Sequence, residues 1–202
     1  RKTKTNKLYL AAAVIIAVLV IGSFGLTSIP FGTGVGGLST GSSNEFVEGV
    51  GLRQNLMPTG SSGLNDHVDD NQSVDYNTVP PTSGDHWVTP ANCGFYSDSL
   101  PDERIVHNLE HGNIVVSYNL TSPGDISQLR STLEDNELYS DWGLAHYYDK
   151  LPEGQVAVTA WGVLDIMDGI DGDRLSRFFD SYSGNLGPEQ ISCGASPSQM
   201  PR

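Results

Sequence analysis

The chain has 202 residues, 24 of them acidic against 11 basic, and a formal net charge of −13. Its length allows one folded domain of ordinary size beyond the N-terminal segments. The acidic balance argues against direct nucleic-acid binding, because such a surface repels phosphate.

Arg1, Lys2, Lys4 and Lys7 lie in a basic stub, residues 1–7, ahead of a nearly charge-free apolar run over 8–26. A bilayer-spanning helix needs roughly 20 apolar residues, so the run predicts one transmembrane signal anchor. Basic residues before it and none soon after predict a cytoplasmic N-terminus, with everything later outside the cell membrane. A cleaved secretory signal is the alternative, but its apolar core usually spans only about 7–15 residues. No Ala-x-Ala-like site follows the run. The exported part would hold seven basic and 24 acidic residues, a net charge of −17, with Lys150 its one lysine. That suits solubility in a salty or exposed medium and attracts cations, including metal ions. Small anchor residues at Ala11–Ala13, Gly22 and Ser23 would permit close packing on other membrane helices.

Residues 27–64 are rich in Gly and Ser and read as a linker, although a piece around Phe46 to Leu56 could pack on a neighbour. The exported globular domain is placed at 65–202. His67 stands beside Asp66, Asp69 and Asp70 and reads as a solvated loop. The run Pro80-Pro81-Thr82-Ser83-Gly84-Asp85-His86-Trp87 cannot be helix, because tandem prolines force extended or turn geometry. A tight turn at Ser83 and Gly84 would make it a structural loop presenting Asp85, His86 and Trp87. Cys93 and Cys193 are the two cysteines, and export predicts a disulfide between them. Closing a loop of about 100 residues is worth up to about 4.7 kcal/mol in the chain-entropy model. The bridge would also pin the C-terminal tail near the histidine motif. A copper–thiolate site at Cys93 is the alternative.

The most informative stretch is His107-Asn108-Leu109-Glu110-His111-Gly112. Pro101-Asp102-Glu103 would start a helix and Gly112 would stop it. Two imidazoles at i and i+4 then share one face, where they can hold a transition-metal ion. His86, His107 and His111 would supply three nitrogens to copper or zinc, with Glu110, Asp85 or water completing the shell. The spacing also matches the inverted zinc-protease pattern. That chemistry needs a further ligand, for which Asp165, Asp168, Asp171 and Asp173 have no diagnostic setting, so no catalytic residue is assigned. In the structural alternative, His107 and His111 hydrogen-bond the Pro80–Trp87 loop and Glu110 accepts from a backbone N–H or the Ser83 hydroxyl.

Residues 114–118 predict a buried strand, and Ser122 or Asp125 caps a helix running through Ile126, Leu129, Leu133 and Leu138. His146 belongs to an aromatic patch expected to pack a core. Residues 155–161 predict a second core strand. The acidic run 165–173 has some calcium-loop character but lacks the EF-hand order, so it reads as a helix cap with solvated acids. An amphipathic helix follows over 171–182, burying Leu175, Phe178 and Phe179. These elements predict an α+β fold: a small mixed sheet packed with helices.

Pro80 to Trp87, Gly94-Phe95-Tyr96, Val106 to Gly112 and Thr159-Ala160-Trp161-Gly162 follow in order. Over residues 65–185 the chain resembles a prokaryotic membrane-anchored domain family of unknown function, number 3105. The resemblance implies an exported, tethered domain and brings no activity with it. Two function classes follow: a metal-binding domain, or a non-catalytic accessory subunit of a larger membrane complex whose histidine cluster is structural.

Overall fold

The computed structural model describes residues 45–57 and 67–193. The expected stub, the anchor at 8–26 and most of the linker lie outside the described residues. Among the described residues, no helix is long and apolar enough to cross a membrane.

The strands are β1 (Leu52–Arg53), β2 (His67–Val68), β3 (His86–Trp87), β4 (Gly94–Tyr96), β5 (Ile114–Tyr118), β6 (Gly143–Tyr147), β7 (Gln155–Ala160) and β8 (Val163–Asp168). The helices are α1 (Asp102–Glu110), α2 (Pro123–Glu134), α3 (Tyr139–Trp142) and α4 (Gly172–Tyr182). Six strands form a mixed sheet in the order β1-β8-β7-β5-β6-β4, and β2 pairs with β3 in a separate parallel ribbon. The fold is thus the mixed α+β arrangement expected.

Strand alternation decides the two faces of the sheet. Ile114, Val116 and Tyr118 of β5 join Leu129 and Leu133 of α2 and Leu175, Phe178 and Phe179 of α4 in the main core. Val115 points the other way and packs with Ile105, Leu109 and Leu144. Helix α1 therefore covers one face with an i, i+4 apolar pair, while its His107–His111 pair emerges elsewhere on the helix.

Three expectations change in detail. The β1 strand pairs with β8, so the sheet begins inside the stretch read as linker. Leu138 lies beyond α2, at the N-cap of α3. Part of the acidic run forms β8: Asp165 pairs with Arg174, and Asp168 accepts from Gln155. Asp171 caps α4 by accepting from the Arg174 N–H at 3.0 Å, as the helix-cap reading expects. These carboxylates are spent on strand pairing and capping, not on a calcium loop.

Candidate metal centre

The β2–β3 ribbon is a small device for presenting imidazoles. Its parallel register sets His67 opposite His86, so their side chains leave neighbouring strands at matched positions. His67 was read as a solvated loop residue; its side chain is 49% exposed, but the pairing brings it into the cluster. The His86 ring is fully buried.

The preceding loop fixes His86. Pro80 to Gly84 are buried, and Thr82 O accepts from the Gly162 N–H at 2.9 Å. Ser83 Oγ accepts from the Met57 N–H at 3.0 Å, and Tyr76 donates to Asp85 O at 2.7 Å. Gly84 takes φ +130°, and a Cβ there would meet Met57 and Tyr76 at 3.1–3.3 Å. The turn that aims His86 therefore needs glycine.

Helix α1 supplies the other side. His107 and Glu110 lie in its last turn, where the carbonyl end of a helix favours a cation. One ligand atom each from His67, His86, His107 and Glu110 lies within 4.8 Å of all the others. The structure thus unites three of the four sequence-derived ligands and adds His67. His111 sits beside this set, its Nε2 3.1 Å from His107 Nε2 and 3.4 Å from Glu189 Oε2. The Ser83 hydroxyl does not serve Glu110. His107 does bond the Pro80–Trp87 loop, through the Trp87 carbonyl.

Hydrogen bonding orients the rings. His86 Nδ1 is 2.9 Å from Gly84 O, and His107 Nδ1 is 2.6 Å from Trp87 O. A carbonyl can only accept, so both Nδ1 atoms carry protons. His107 Nε2 is then a bare lone pair in the neutral ring. His86 Nε2 faces Glu110 Oε2 at 2.8 Å.

Titration behaviour follows from these contacts. Burial disfavours charge on His86, but its bonds to Glu110 and Gly84 O outweigh this and hold its pKa above the ordinary value. Burial alone would raise the Glu110 pKa; the His86 bond and the surrounding histidines bring it below the usual range. Burial and neighbouring histidines push His107 down to about 4. His111 is also lowered, chiefly by burial. These directions favour a charged His86–Glu110 pair beside neutral His107 and His111.

The C-terminal tail closes over the end of α1. Glu189 N donates to Glu110 O at 3.0 Å, Ile191 N to His111 O at 2.9 Å and Gly184 N to Gly112 O at 2.9 Å. These bonds satisfy carbonyls that a helix end leaves unpaired. The Cys93–Cys193 disulfide, with Cα atoms 5.6 Å apart, pins this tail as the cysteine pairing predicts. It also positions Glu189, a carboxylate that sequence patterning did not single out. Asn108, within the motif, bonds both backbone groups of Ala91 and fixes the segment before Cys93. His146 is wholly buried; its Nδ1 accepts from Leu100 N at 3.2 Å and its Nε2 lies 2.9 Å from Ser117 Oγ, the core role expected.

The family model described as "Protein of unknown function (DUF3105)" matches residues 67–195, and the chain belongs to that family. The match runs from His67 through the tail that carries Glu189. No curated protein and no solved structure matches the chain.

Proposed function

We propose that this DUF3105 member is a membrane-tethered, extracytoplasmic domain that binds one copper or zinc ion through His67, His86, His107 and Glu110. The observation that carries the reading is the state of the two buried rings. Metal-ligating histidines characteristically donate their other ring N–H to a backbone carbonyl, as His86 does to Gly84 and His107 to Trp87. That bond fixes the ring and directs Nε2 at the ion. Three imidazoles and one carboxylate suit copper or zinc. The strongly acidic exported part would concentrate cations near the site. The tether rests on the apolar run at 8–26, and the disulfide fits an oxidising compartment.

A second reading has its own support. The 2.8 Å His86–Glu110 bond and the 2.6 Å His107–Trp87 bond form a network that ties ribbon to helix without an ion. In that reading the domain is an accessory subunit of a larger membrane complex. Copper(II) loading of the full chain separates the two. The metal reading predicts a paramagnetic signal with imidazole nitrogen couplings, lost in His107→Gln. Failure of the full chain to take up copper(II) or zinc(II) leaves the structural network.

A further inference from the structure

His111 and Glu189 lie beside the four-donor set but outside it. His111 Nε2 is 3.4 Å from Glu189 Oε2, a span that two donors about 2.1 Å from a shared ion would have. On its other side the same nitrogen is 3.1 Å from His107 Nε2, which belongs to the inner set. Glu189 is the more open of the two, with 36% side-chain exposure against 9% for His111. The pair thus steps from solvent towards His107. Its placement is built into the fold. The Glu189 backbone bonds Glu110 O, and Gly187 allows the tail to approach where a Cβ would come within 2.5 Å of that same oxygen.

We propose that His111 and Glu189 form an outer cation position, completed by water, from which a copper or zinc ion reaches the inner set by ligand exchange at His107. This rests on the metal reading above. The outer position has two protein donors against four, so it holds the ion weakly and passes it on. Exchange then proceeds stepwise. His111 binds through Nε2 as its Nδ1–H tautomer, and His107 displaces a water to bond the ion. His111 and Glu189 then give way to His67, His86 and Glu110, the His86 proton leaving to water. No electron is transferred.

The test is zinc transfer from the full chain, loaded with one equivalent of zinc alone, to a chromogenic chelator in stopped flow. Wild type, Glu189→Gln and His111→Gln should each retain about one zinc per chain. Transfer should slow about tenfold or more in both variants, the scale expected when a group supporting a metal site is lost. Glu189→Asp, which keeps the charge but shortens the reach, should fall between. Unchanged rates would mean that the ion passes directly by His67, and would overturn the proposal. Faster transfer would overturn it too, by showing the tail to be a cover. Loss of stoichiometric zinc in Glu189→Gln would overturn it by placing that carboxylate in the inner set. A wild-type chain that takes up neither zinc nor copper overturns the metal reading itself.

Discussion

His86 Nε2 stands 2.8 Å from Glu110 Oε2 while its Nδ1 faces the Gly84 carbonyl at 2.9 Å. Both ring nitrogens thus meet acceptors. The ring satisfies both as an imidazolium, or with Nε2 and the carboxylate directed at one cation. A proton and a metal ion would therefore compete for the same nitrogen.

That competition has a defined pH dependence. His86 has a raised pKa, so below it an ion that binds Nε2 must displace a proton, and about one proton should be released per ion there. Below the His86 pKa, affinity should fall about tenfold per pH unit. Near pH 4 His107 also begins to protonate, and the loss should steepen there. Isothermal titration in buffers of different ionisation enthalpy counts the proton. A count of zero would remove His86 from the ligand set.

Substitutions at the two ribbon histidines should differ in stability but agree in metal binding. His86→Ala leaves the largely buried Glu110 carboxylate without its charged partner, and should cost about 3 kcal/mol of metal-free stability. The half-exposed His67 should cost less than about 1 kcal/mol when changed to Ala. Both should weaken metal binding by more than about a hundredfold, beyond the effect of losing a supporting bond. Urea unfolding of the metal-free chains and competition with a chelator measure the two quantities separately.

Gly187 tests the tail clamp. It has φ +115°, and a Cβ would lie 2.5 Å from Glu110 O and 2.7 Å from Leu109 O. Gly187→Ala should therefore cost about 1–3 kcal/mol of backbone strain plus the clash with both carbonyls, and displace the tail. Gly169 has φ +95° with nothing within 4 Å of its Cβ, so Gly169→Ala should cost only about 1–2 kcal/mol. Thermal melts compare the pair, and equal losses would contradict close packing of the tail.

His146 gives the metal-independent core its own acid response. Burial pushes its pKa from 6.5 down to about 4. Between those values the unfolded chain binds more protons than the native one, so stability falls as pH drops. This residue should account for about 3 kcal/mol over that range. Urea unfolding at pH 7 and pH 4.5 should show a smaller difference in His146→Gln than in the parent chain.

Much of this architecture is legible in the residue pattern, because β5, β7, α1, α2 and α4 carry strong local periodicity. The tandem prolines and the cysteine pair land where the residue pattern puts them, whereas of the i, i+4 histidines His107 joins the four-donor group and His111 stands beside it. His67 does not announce itself. Its neighbours are acidic, and its place depends on a two-residue pairing with a strand nineteen positions away. Glu189 is hidden for a related reason: only the disulfide and the backbone bonds to α1 bring it to His111. The acidic run misleads because Asp165 and Asp168 lie in a strand whose six residues all pair with β7, and strand pairing there outweighs turn character.

The most direct test of the central claim is the metal content of the full chain, purified without chelators or a histidine tag. Elemental analysis should find about one copper or zinc ion per chain, and none in His107→Ala. A folded, metal-free chain that copper and zinc cannot load would contradict the account, and would leave the cluster as a structural tie between ribbon and helix.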